Sequence, residues 1–224
     1  MLLFKVIKGV FSRSSGVKYP LARKTGSTNS VLNVGGGNKL IDIPAHYENW
    51  EHLLLDIDPS SGADIILDAR KLSTLTAEQF DAIYCSHNLE HYYAHDVPTV
   101  LSGFFHALKS DGFVEIHVPD MRAVLTRFVE TGMEIDDILY QSPSGPISVL
   151  DVIYGWGKQI ESTGVDFYAH KTGFTEVTLL AALKRAGFTH IWIARTADPF
   201  AVGAFAFKQS PTATQISRLG LATG

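Results

Sequence analysis

Cysteine is all but missing from this chain: Cys85 is the single one among 224 residues. One thiol makes neither an intrachain disulfide nor a thiolate zinc cluster, and a reducing cytoplasm is the compartment such a chain suits. Long apolar runs are missing as well. No stretch approaches the roughly 20 uninterrupted apolar residues of a membrane span, so no integral membrane segment is expected. There is no internal repeat. Acids are missing from residues 1–41, which carry seven bases: Lys5, Lys8, Arg13, Lys18, Arg23, Lys24 and Lys39. With 19 bases and 23 acids in all, the rest of the chain sets 12 bases (19 minus 7) against every acid. That acidity, with no basic aromatic-studded stretch, argues against a nucleic-acid partner.

What is present is an ordinary globular composition, 46% hydrophobic and 19% charged, long enough to bury one sizeable core. Residues 1–30 read as a basic N-terminal arm. A helix packed on the domain or on a partner subunit is the plain expectation for it, which leaves a homodimer open. A membrane-surface arm and an organelle presequence are the other two readings. Lys5 and Lys8 interrupt the apolar run and no small-residue cleavage site follows, which argues against a secretory signal. Residues 31–208 form the domain, and residues 209–224 read as a flexible tail.

The domain is organised around residues 31–68. Val31, Leu32 and Val34 run into Gly35, Gly36 and Gly37; Leu53, Leu54 and Leu55 run into Asp56; Ile65, Ile66 and Leu67 run into Asp68. Short β-forming runs that end in glycine or aspartate are how buried parallel strands look where they open into loops. In open α/β sheets ligands bind at those carboxyl ends, where glycine admits a close backbone and an acid holds a ribose. A dinucleotide fingerprint needs a glycine three residues after Gly37, and Leu40 stands there. A cofactor with a ribose and an adenine but no pyrophosphate, S-adenosylmethionine, suits this shelf better than a nicotinamide dinucleotide.

Downstream, strands are expected over 80–86, 113–118, 190–195 and 202–207, with helices over about 96–110, 121–130 and 175–186. Between Gly37 and the second strand, Pro44 and weak periodicity predict a short or irregular crossover. Residues 131–171 interrupt the βα alternation and are expected, as a less regular insertion at the sheet's carboxyl edge, to cover a substrate.

At these residues the chain resembles the class I S-adenosylmethionine-dependent methyltransferases, in a type 11-like, small-molecule form. The likeness covers residues 31–118 closely and 172–208 loosely. It rests on the glycine turn, on Asp56 and Asp68, on the run Ser86, His87, Asn88, Leu89, Glu90, His91, and on the turns at 108–112 and 181–188. The resemblance implies an α/β three-layer sandwich around a seven-stranded, mostly parallel sheet with an antiparallel last strand, the Rossmann-like methyltransferase fold. It implies S-adenosylmethionine held by Asn33, Gly35, Gly36, Gly37, Asp56, Ile57, Asp68, Ala69, Ser86 and His87. Asn33 stands where the family has an acid, and Lys39 where it has the last glycine of the turn. Asp56, which directly ends its strand, takes the ribose role rather than Asp58.

The candidate catalytic residues are His87, His170 and Tyr154, with Tyr168 near them in sequence. The expected reaction is in-line methyl transfer to a small hydroxyl, amine or sugar acceptor. The family's signature for amino groups on nucleic-acid bases is absent. A catalytically silent methyltransferase-like scaffold is the alternative, motivated by Asn33 and Lys39. His87, Glu90 and His91 also match a His-x-x-Glu-His zinc pattern, which needs a helix to face both imidazoles to one metal. Since the run follows a strand directly, no metal centre is expected, and a zinc hydrolase ranks behind a nicotinamide-dependent oxidoreductase.

Overall fold

A computed structural model describes residues 29–143 and 145–221, so the expected arm falls outside it except for its last two residues. The first three apolar runs become β1 (Ser30–Val34), β2 (Glu51–Asp56) and β3 (Ile65–Ile66), all parallel. They are followed by β4 (Phe80–Ser86), α1 (Val97–Ala107), β5 (Leu108–Pro119) and α2 (Met121–Thr131). After the 131–171 insertion come α5 (Glu176–Arg185), β8 (His190–Arg195) and β9 (Ala201–Phe207). The sheet has seven strands in the order β3-β2-β1-β4-β5-β9-β8. Only β9, the last strand, runs against its neighbours β5 and β8, as expected for the Rossmann-like methyltransferase fold.

Alternation along the strands sorts the core onto two faces. Leu32, Val34, Ile83, Cys85 and Ile116 point to one face, under α1, α5 and a short 3-10 helix at Ala69–Thr74. Val31, Ala82, Phe113, Phe205 and Phe207 point to the other, where no long helix lies among the described residues and Tyr47 and Trp50 fill the space. The irregular crossover expected between β1 and β2 is found: its one helical element among the described residues is a 3-10 turn, Ala45–Tyr47.

Glu115 anchors that turn. The carboxylate lies buried on β5, with His46 Nε2 and the Tyr47 hydroxyl each 2.8 Å from Oε2 and His117 Nε2 2.8 Å from Oε1. Burial alone would raise its pKa, but the bonds from His117, His46 and Tyr47 hold it down at about 2.

Three expectations are corrected. The helix expected to run to residue 110 stops at Ala107, because Leu108 pairs with Phe80 and the strand begins there, with a register irregularity between Phe80 and Ala82. The insertion is more regular than its sequence suggests. It holds a hairpin of β6 (Ile138–Ser142) and β7 (Gly145–Ser148), then α3 (Val149–Tyr154) and α4 (Gly157–Thr163). These pack a satellite core of Val124, Val149, Val152 and Phe200. Lastly, the expected frayed end contains α6 (Ala213–Arg218), whose capping box joins Thr212 and Gln215 while Gln215 Nε2 donates to the Asp111 carbonyl, 2.9 Å away. Among the described residues no helix is long and apolar enough to cross a membrane.

Candidate functional site

Strand order reverses between β1 and β4, and loops that leave in opposite directions there open a crevice at the carboxyl edge. A cleft of about 440 Å³ occupies it, a size suited to a cofactor. Gly35 starts its floor at φ +71°, where a Cβ would lie 2.0 Å from Asn88 Nδ2, so only glycine lets β1 end against the loop after β4. Gly37 donates its N–H to Asp56 Oδ2 at 3.0 Å, and Asp58 donates to Oδ1 at 2.9 Å. Asp56 therefore shapes the glycine turn and still has lone pairs free toward the cleft. Asp58 spends its carboxylate on Ser60, accepting from N at 2.8 Å and Oγ at 2.7 Å, which separates the two acids in role.

Of the residues expected to hold a cofactor, Gly35, Gly37, Asp56, Ile57, Asp68 and His87 line the cleft. Asn33, Gly36, Ala69 and Ser86 do not. Asn33 lies beneath the turn: a Cβ on Gly36 would sit 2.3 Å from Asn33 Nδ2, so this side chain supports the loop from behind. Lys39 is drawn away by Asp64, 2.6 Å from its Nζ. Neither departure from the family pattern obstructs the cleft.

Asp68 is gripped by a residue the sequence reading passed over. Arg70 donates Nε and Nη2 to its carboxylate at 2.9 and 2.6 Å and reaches Asp96 with Nη1 at 3.2 Å. Burial pushes the Asp68 pKa up, and the Arg70 bonds more than offset this, leaving it below the ordinary carboxylate range. An arginine two positions after a strand-ending aspartate is a signal that sequence offers. The contributions of Tyr92, Phe167 and Lys171 to the wall arise from chain folding alone.

His87 stands at the end of β4 with φ +48°, a backbone conformation that costs a non-glycine residue energy and collects at functional sites. Its Nδ1 lies 3.5 Å from Glu90 Oε1, and 47% of its side chain meets solvent. Burial lowers its pKa, yet the Glu90 carboxylate beside it brings the net shift above the ordinary value. Glu90 is buried at 1% exposure, and its pKa is held down against that burial by His87, His91 and His170.

The other two catalytic candidates are not on the cleft wall. Tyr154 is 61% exposed and its carbonyl accepts from His170 N at 2.9 Å. His170 sits behind Glu90, its Nδ1 2.8 Å from the Val152 carbonyl. Tyr168 does line the cleft, as part of a strap at residues 166–171 that closes one side.

The strap is seated against Gly155, at φ +97°, where a Cβ would lie 2.0 Å from the Tyr168 carbonyl oxygen. Gly155→Ala is expected to lower stability by about 3 kcal/mol, combining forbidden backbone geometry with overpacking. Urea unfolding gives the energy, and limited proteolysis should show faster cleavage within residues 155–171. Unchanged unfolding and cleavage would mean that the strap is not seated there.

The fold is shared with solved methyltransferases. An S-adenosylmethionine-dependent methyltransferase from Archaeoglobus fulgidus is 16% identical, with 81% of this chain and 86% of that chain covered and a TM-score of 0.50. A Thermotoga maritima protein described as an S-adenosylmethionine-dependent methyltransferase, possible histamine N-methyltransferase, is 14% identical, covers 81% of this chain and 83% of that one, and has a TM-score of 0.50. No protein-family model matches the chain, and no curated protein does. At these identities the likeness is one of fold.

Proposed function

We propose that this chain is an S-adenosylmethionine-dependent methyltransferase acting on a small hydroxyl, amine or sugar acceptor. The observation that carries the reading is the cleft at the glycine turn: it is walled by acids and has no helix starting behind the turn. A pyrophosphate needs the N–H groups of a helix N-terminus. Here the chain after Gly37 holds only the 3-10 turn at Ala45–Tyr47 before β2. Asp56, Asp58, Asp68, Asp96 and Asp166 face the cleft, against Arg70 and Lys171. Such a wall disfavours a polyphosphate and favours a cofactor of net positive charge, with a sulfonium and an ammonium against one carboxylate.

When bound, S-adenosylmethionine supplies a methyl group on a positively charged sulfur, open to attack from the opposite side. Asp56 would hold the ribose hydroxyls, and the Gly35 turn would take the backbone close to the amino-acid end. Asp68, fixed by Arg70, would stand at the adenine. His87, at the head of β4, is the side chain placed to hydrogen-bond the acceptor nucleophile and aim it. Tyr168, with the rest of the 166–171 strap, would exclude water above it. Alignment of this kind is worth about 7 to 11 kcal/mol in well-oriented cases, so catalysis by positioning alone is substantial. The strap that closes one side of the cleft supports a small acceptor over a polymer.

Calorimetric titration with S-adenosylhomocysteine tests the cofactor, and transfer of labelled methyl groups to a panel of small alcohols, amines and sugars tests the activity. Tight 1:1 binding with transfer is the expected result. Binding with no transfer across a broad panel would favour the scaffold reading. An absence of binding would overturn the proposal.

A further inference from the structure

Glu90 carries an unmet demand. It is buried at 1% exposure, yet neither Oε1 nor Oε2 has a hydrogen-bond partner among the described residues. A buried carboxylate left so costs several kcal/mol unless a positive charge compensates it, and His87 Nδ1 stands 3.5 Å from Oε1 without making a hydrogen bond. Two imidazoles converge on it. One nitrogen of His91, one of His170 and one oxygen of Glu90 all lie within 4.8 Å of one another.

The histidines are already oriented as ligands. His91 Nδ1 lies 3.1 Å from the Ala169 carbonyl and His170 Nδ1 lies 2.8 Å from the Val152 carbonyl. A carbonyl only accepts, so each Nδ1 carries the proton, and in the neutral ring each Nε2 then presents a lone pair. Fixing the tautomer through a backbone carbonyl is how metal-binding histidines are held. The backbone is laced at the same place: Lys171 N donates to the Glu90 carbonyl at 2.8 Å, and His170 N to the Tyr154 carbonyl at 2.9 Å. Residues 79 positions apart (170 minus 91) are thus held side by side.

We infer that Glu90, His91 and His170 form a binding site for a divalent first-row transition-metal ion at the edge of the cleft. Two imidazoles and one carboxylate suit zinc, manganese, iron or cobalt, whereas magnesium and calcium take mostly oxygen ligands. Ligand atoms around zinc stand roughly 3.4 Å apart for bonds of about 2.1 Å, so small side-chain rotations close the cluster. The site replaces the expectation of no metal, and it differs from the His-x-x-Glu-His pattern in taking His170 in place of His87. Leu89–His91 is a single 3-10 turn and His87 lies outside it, so the ligand that a helix would supply comes from the strap. Because His91 and His87 line the cleft, an ion held here would stand at its edge and could take an oxygen of the acceptor as a further ligand. That last role rests on the methyltransferase reading; the site itself does not.

The test strips the full chain with a chelator, titrates zinc against a competing chromophoric chelator, and records the visible spectrum with cobalt. One ion per chain and a cobalt band typical of nitrogen and oxygen ligation are expected. Glu90→Gln and His170→Asn should each weaken zinc at least about tenfold. His170→Asn retains a donor for Val152, and circular dichroism checks that each variant folds. His95→Ala, on an exposed ring outside the cluster, should bind as the parent does. No stoichiometric ion, or equal affinity in all four chains, overturns the site. Parallel titration with S-adenosylhomocysteine separates the two proposals: zinc binding without cofactor binding leaves the metal site standing alone, and cofactor binding without zinc removes only the metal site.

Discussion

Asp56→Ala should lower the affinity for S-adenosylhomocysteine about a hundredfold, and Asp58→Ala should leave it nearly unchanged. The two acids stand two residues apart on one loop, so the comparison isolates geometry from charge. Asp56 ends β2 inside the cleft, with one lone pair on each oxygen committed to the amides of Gly37 and Asp58. Its remaining lone pairs can accept two ribose hydroxyls. Hydrogen bonds to a charged group are worth about 1.5 to 3 kcal/mol each, and about 2.8 kcal/mol is a hundredfold in affinity. Removing Asp56 also frees the Gly37 amide, so Asp56→Asn is the companion variant: it keeps one acceptor oxygen and should fall between the parent and alanine. Asp58 also lines the cleft, but its carboxylate is occupied with Ser60 in its own loop. Calorimetry on the three variants reads the result. Equal losses at 56 and 58 would mean that the cleft attracts the ligand by charge alone, and no loss at 56 would remove the ribose from this strand.

Glu115→Ala should be the most destabilising of the substitutions considered, by about 3 to 5 kcal/mol, because it leaves the buried Tyr47 and the half-buried His46 and His117 facing a missing acceptor. His46, Tyr47 and His117 all donate to this carboxylate. Losing it also unfastens the 3-10 turn that covers the helix-poor face of the sheet. Glu115→Gln, which keeps one acceptor oxygen, should cost about 2 kcal/mol. The acid dependence follows from the same contacts. Its carboxyl pKa is held at about 2 in the folded chain, against an ordinary value of 4.5. The unfolded chain therefore takes up this proton first as pH falls. The contribution is complete above about pH 4.5 and lost as pH drops through 2, with a size of about 3 kcal/mol. Urea unfolding from pH 7 to pH 2 should show that part of the slope in the parent and not in Glu115→Gln. Identical slopes would place the acid sensitivity elsewhere.

Neither Glu115 nor the Glu90 cluster was visible from local pattern. In the run Phe113, Val114, Glu115, Ile116, His117, the glutamate reads as one more alternating strand position. Its partners His46 and Tyr47 lie in a stretch without periodicity, and only the crossover from β1 to β2 brings them over β5. Glu90 and His91 match a zinc pattern in sequence, but on a run that follows a strand directly the pattern lacks the helix that would face both its imidazoles to one metal. The signal that changes that reading, a second imidazole with its Nε2 turned toward the same carboxylate, comes from the far side of the insertion. Arg70 was the legible omission, because an arginine two positions beyond Asp68 can fold back on it by local geometry alone.

The sheet and the shelf were decided locally. A run of β-branched and leucine residues that ends in glycine or aspartate has one favourable place in an α/β sheet, with its apolar sides buried and its end in a loop. That is why β1, β2 and β3, the glycine turn, Asp56 and Asp68 could be placed from neighbouring residues alone. The walls of the cleft were decided by contacts between segments distant in the chain. The strap reaches Glu90 through backbone bonds at 171 and 172, and Gly155 admits it against α3. Contacts of that kind depend on loop paths, and loop paths are set by which backbone groups meet after the core has formed. No spacing rule in the sequence carries that information.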